Sequence, residues 1–120
     1  MRDVDYDRDS FQDIIAKDKR FDHRAYALLS EVVHDLLEAK HEHIRAADIL
    51  EEFKEQALDL FGPMSYTVLT EWGLTKTEDV GEMIFNLVES GRLTRDESDS
   101  PDEFAGVYDF REAFLEPYQV

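Results

Sequence analysis

Two Glu-x-x-His elements lie close together in the sequence, at residues 31–34 and 38–41. In carboxylate-bridged di-metal proteins such elements come from different helices, and glutamates from two further helices complete the site. Here both elements belong to one predicted helix, on the side opposite its apolar face. The pattern therefore predicts a solvated polar row, with His34, Glu38 and His41 as no more than weak candidate ligands for zinc or nickel.

The sequence contains none of the common motifs of other catalytic sites. The chain has no cysteine, which excludes a thiol nucleophile, a disulfide and a Cys-ligated zinc site. It also lacks a G-x-S-x-G elbow, a P-loop and a glycine-rich dinucleotide turn. With 29 acidic residues among 120, carboxylates meet by chance, so a carboxylate pair carries no weight as an acid–base pair. The sequence predicts no catalytic residue and no cofactor.

The charge is strongly negative along the whole chain. The first sixty positions contain nine basic and sixteen acidic residues, and the last sixty contain four basic and thirteen acidic residues. The net charge is −16. Such a surface repels phosphate backbones and anionic lipid, so we expect no nucleic-acid partner and no membrane partner. It favours a basic protein partner, with self-association as a second possibility. A solvated acidic surface without a specific partner explains the same composition.

Length and composition predict one domain over residues 1–120, because 42% of the residues are apolar and can form a core. The N-terminus lacks the apolar run of a signal peptide, and no apolar stretch approaches the roughly 18 residues of a membrane span. We expect a cytoplasmic protein with a flexible acidic N-terminus at residues 1–9 and an acidic loop at 95–102.

Apolar periodicity predicts a mainly α domain of five to seven short helices. Asp9 or Ser10 is expected to cap a first helix through residues 14–16, and longer helices are expected at about 23–40 and 46–60. Thr75 or Thr77 is expected to cap a later helix that ends near Gly91. The predicted buried positions of the two longer helices are Tyr26, Leu29, Val32, Val33 and Leu36, and then Ile49, Leu50, Phe53, Ala57, Leu60 and Phe61. The predicted buried stripe of the later helix is Val80, Met83, Ile84, Leu87 and Val88.

The segment FGPMSYTVLTEWG at residues 61–73 holds the only tryptophan. Gly62 and Pro63 are expected to end the preceding helix, and Gly62 to take a positive φ. Met64, Val68, Leu69 and Trp72 then share one apolar face of a short helix that Gly73 ends. This pattern predicts a structural corner between helices, and a partner-binding groove around Trp72 is the alternative. The residues of this structural or interaction corner are His43, Phe61, Gly62, Pro63, Trp72 and Gly73.

Two architectures compete after Gly91. In one, residues 92–95 and 104–108 pair as a hairpin, which would give a winged-helix topology and a regulator that reads nucleic acid. In the other, residues 100–103 form a capping box that opens a short helix ended by Gly106, and Asp109 caps a last helix that stops near Pro117. The second architecture uses more local signals and is preferred.

A set of short motifs is spread over residues 61–64, 71–73, 77–79, 81–82, 85–89 and 108–110. Together these motifs resemble the Minf family, a group of small bacterial proteins without an assigned function, and the resemblance spans about residues 11 to 118. It implies a bacterial origin but no activity, so no catalytic residue is carried over. His43 resembles a position that the family often fills with histidine, where it would cap the third helix or order the turn before it.

Taken together, these observations predict a protein–protein interaction module without catalytic activity. An enzyme or a metal-binding protein with an unrecognised site is the alternative. A winged-helix-like regulator is the second alternative.

Overall fold

The computed structural model describes residues 8–40, 44–93 and 101–118, and these residues are mainly helical, as the apolar periodicity predicts. The α-helices are α1 (Gln12–Lys17), α2 (His23–Lys40), α3 (Ala46–Phe61), α4 (Ser65–Glu71), α5 (Thr77–Glu89) and α6 (Phe110–Phe114). Short 3-10 helices lie at Arg8–Phe11, Gly62–Met64, Pro101–Phe104 and Glu116–Tyr118.

The core lies where α2, α3 and α5 pack their apolar faces together. Every residue of the predicted α2 face is buried, and in α3 the predicted face is buried from Ile49 to Ala57, while Leu60 and Phe61 are only partly covered. The stripe of α5 joins the same cluster through Val80, Met83, Ile84 and Leu87. Each fully buried leucine, valine or phenylalanine stabilises the fold by about 1.5–3 kcal/mol relative to leaving it exposed.

The alternative that was not preferred, a C-terminal hairpin in a winged-helix topology, is wrong. No strand occurs within residues 101–118, since Phe104 ends a 3-10 helix and a turn with Gly106 at a φ of 60° follows it. The ring of Phe104 is 1% exposed and packs on Gly81 of α5, where a Cβ would lie 2.9 Å from it. Burial of this ring against α5, and not the pairing of strands, therefore holds the segment in position.

The preferred C-terminal architecture is confirmed in part. Its first helix is the 3-10 helix Pro101–Phe104, which ends two residues before Gly106, and its capping box includes Ser100, which lies outside the described residues. Its last helix, α6, ends at Phe114, before Pro117. Gly106 ends the turn, and the side chain of Asp109 accepts a hydrogen bond of 3.1 Å from the backbone N–H of Glu112. That bond caps α6, which carries Phe110 and Phe114 into the core.

The predicted caps at two other helix starts are wrong. At α5 the carboxylate of Asp79 accepts from the backbone N–H groups of Thr75, at 2.9 Å, and Lys76, at 3.3 Å. Thr77 is instead the first residue of α5, and its buried hydroxyl accepts a hydrogen bond from Val107 N–H. The side chain that caps this helix start is therefore the carboxylate of Asp79, at the third position of α5. At α1 the 3-10 helix runs directly into the α-helix, and Phe11 occupies the cap position without a side-chain bond.

Two predicted segments fall largely outside the described residues. Of the N-terminal segment 1–9, the structure describes only the backbone at its end, and of the acidic loop 95–102 only the start of a 3-10 helix.

Within the ranges that the structure describes, none of the helices combines the length and the apolar composition needed to cross a bilayer.

Candidate functional site

The corner at residues 61–73 begins with a tight turn between α3 and α4. α3 ends at Phe61, and Gly62 has a positive φ of 52°, as predicted. The hydroxyl of Ser65 then donates to the carbonyl oxygens of Gly62, at 2.6 Å, and Ala57, at 3.2 Å. These bonds tie the start of α4 back to the last turns of α3.

Trp72 is buried, but the predicted apolar face of α4 is only partly right. Trp72 is 5% exposed, and its ring meets the ring of Phe61 edge to face at a centroid distance of 5.4 Å. Met64, expected on the same face, is 56% exposed, while Ser65 is fully buried. The prediction treated Met64 as part of one regular α-helix with the residues of α4. Met64 instead lies in the 3-10 helix before α4, where the angle between successive residues differs, and its side chain therefore points outward.

The far end of the corner is fixed to the loop between α1 and α2. Asp22 N–H donates to the carbonyl oxygen of Trp72 at 3.0 Å, and the guanidinium of Arg24 lies 5.8 Å from the ring centroid of Trp72. Gly73 has a φ of 98°, and a Cβ there would penetrate the backbone oxygen of Arg20. These contacts favour the structural interpretation of the corner, since its tryptophan and glycine both pack against protein.

An open groove of about 340 Å³ nevertheless lies beside Trp72, and we call it the corner groove. It is lined by Ile15, Lys19, Arg20, Phe21, Asp22, His23, Glu71 and Trp72. Its aromatic residues offer little surface, because Phe21 is 3% and Trp72 5% exposed. Its two carboxylates match its Lys and Arg in number, so the groove has no strong preference for a ligand of either charge.

The groups with shifted pKa values serve the fold. A two-pronged ion pair with Arg20, at 2.7–3.2 Å, holds the pKa of Asp18 well below its ordinary value, and Asn86 adds a hydrogen bond at 3.0 Å. The side-chain hydrogen bond from Arg24 likewise lowers the pKa of Asp22. Burial raises the pKa of Tyr108, whose hydroxyl donates to Leu50 O at 3.0 Å.

The weak metal candidates do not assemble a site among the described residues. His34 Nε2 lies 3.3 Å from Glu38 Oε1, and both side chains are well exposed, at 63% and 70%. His41, together with the corner residue His43, lies outside the described residues. No group of three or more His, Asp or Glu side chains in residues 8–40, 44–93 and 101–118 is arranged to hold a metal ion.

A second open groove, the acidic groove, runs along α3. Its volume is about 570 Å³, and it is lined by Glu52, Glu55, Gln56, Leu58 and Asp59. The three acids stand at i, i+3 and i+7, which places them on one face of the helix. No Lys or Arg of the described chain lines this groove, so its charged lining residues are all acidic.

Gln56 connects the acidic groove to α2. Its side chain is 95% buried, and its Nε2 donates to Asp35 Oδ2 at 3.1 Å and to Glu52 Oε2 at 2.9 Å. One amide group thereby holds carboxylates from two helices close together, which costs less than placing them side by side without a donor.

The acidic groove is the feature that sequence reasoning missed. The i, i+3, i+7 spacing of Glu52, Glu55 and Asp59 was a readable signal for one acidic helix face. The hydrogen bond from Gln56 to Asp35 had no such signal, because it depends on how α2 packs against α3.

Comparisons with known proteins add no relative. No family model matches the chain, and neither a curated protein nor a solved structure matches it. The resemblance to the Minf family therefore stays a prediction.

Proposed function

We propose that this protein is a protein–protein interaction module without catalytic activity, and that a basic segment of a partner binds in the acidic groove. The observation that carries the proposal is the groove itself, an open and shallow surface feature whose charged lining residues, Glu52, Glu55 and Asp59, are all acidic. Leu58, half-buried in the same wall, offers apolar contact.

Charge argues for a basic partner over a second copy of this chain. Each copy carries a net charge of −16, so two copies repel each other over the range of the Debye length, about 8 Å at physiological salt. A basic partner is instead attracted toward the groove, and such steering raises association rates more than it raises final affinity.

The affinity must come from several contacts at once. An exposed ion pair contributes about 0–1 kcal/mol, so three carboxylates supply at most about 3 kcal/mol. Further affinity would come from apolar contact at Leu58 and from carboxylates that Gln56 already orders, since preordered groups lose less entropy on binding. A partner segment that alternates Lys or Arg with apolar residues satisfies both requirements.

Affinity capture tests the proposal with three forms of the tagged protein, each incubated with extract of its native cell and analysed by mass spectrometry. The forms are the wild type, a groove variant (Glu52→Gln, Glu55→Gln, Asp59→Asn) and a control variant. The control carries Glu89→Gln, Glu112→Gln and Glu116→Gln, which remove the same charge at exposed positions that line neither the acidic groove nor the corner groove.

We expect the wild type and the control variant to retain the same basic protein, and the groove variant to lose it. Equal retention by all three forms would show that the acidic groove is not the binding surface. If the wild type retains no protein reproducibly, the interaction-module proposal itself fails.

A further inference from the structure

We draw no further inference here: the strongest candidate, the corner groove between the α1–α2 loop and the end of α4, has Lys19 and Arg20 balanced by Asp22 and Glu71 and almost no exposed aromatic surface, and nothing in the structure shows what covers it.

Discussion

Replacing Gly73 by alanine tests the contact that fixes the corner to the α1–α2 loop. Gly73 has a φ of 98°, which costs an L-residue about 1–3 kcal/mol. The new Cβ would also penetrate the backbone oxygen of Arg20 and lie 3.2 Å from its carbonyl carbon. Both atoms belong to the backbone, so the loop itself must move, at a cost typical of overpacking, about 1–3 kcal/mol.

That movement also strains the hydrogen bond from Asp22 N–H to Trp72 O, whose net contribution is about 0.5–1.5 kcal/mol. Alanine also restricts the unfolded chain more than glycine does, and this entropy effect stabilises the fold by about 0.4–1 kcal/mol. We therefore expect Gly73→Ala to lower the free energy of unfolding by about 3–5 kcal/mol, a large part of the stability of a small domain.

Gly106→Ala provides the matched control. Gly106 also has a positive φ, 60°, but a Cβ there would have no atom within 4 Å. Its loss should be limited to backbone strain, about 1 kcal/mol. Urea denaturation followed by the fluorescence of Trp72 and by circular dichroism measures both variants. If the two variants lose the same free energy, the close approach of Gly73 to the loop does not stabilise this fold.

Four further outcomes follow from the same contacts and charges. Trp72→Ala should lower the free energy of unfolding by about 3–5 kcal/mol in urea denaturation, and an unchanged midpoint would mean that the side chain is exposed. Zinc at modest excess should leave the melting temperature unmoved; a rise that the His34→Ala, His41→Ala double variant abolishes would instead reveal a metal site. Fluorescence anisotropy at about 50 mM salt should detect no binding to duplex DNA or RNA, and saturable, salt-sensitive binding would refute the charge argument. The depressed pKa of Asp18 contributes stability that is present above about pH 4 and is lost as the pH falls below it. Asp18→Asn should therefore weaken the fall in the free energy of unfolding below about pH 4. An unchanged fall would contradict the ion pair with Arg20.

Much of the helical architecture could be predicted because local rules decide it. The stripes on α2, α3 and α5 repeat with the helical period and have enough apolar area to bury, so periodicity placed them correctly. Gly62 was predictable for a similar reason, since a glycine before a proline marks the end of a helix. These signals depend on neighbours within one or two turns.

The errors have two causes, contacts between distant parts of the chain and a local change of helix type. The hairpin alternative failed because Phe104 packs on Gly81, more than twenty residues earlier, and no local pattern records that contact. Met64 was misplaced because a 3-10 turn shifted the phase of α4. The contact between Asp35 and Gln56 was missed because only the packing of α2 on α3 brings these two residues together.

The arrangement of the basic residues explains why the described surface is as acidic as the composition suggests. Arg20 pairs with Asp18 and Glu82, Arg24 with Asp22, and Arg92 with Asp13, so these cations are engaged within the chain and order its loops. Pairing a cation with a nearby carboxylate cancels its field beyond a few ångströms, whereas the charged residues that line the acidic groove are all carboxylates. An approaching protein therefore meets three acidic side chains and no basic lining residue of the described chain at that groove, which is the physical basis for expecting a basic segment there.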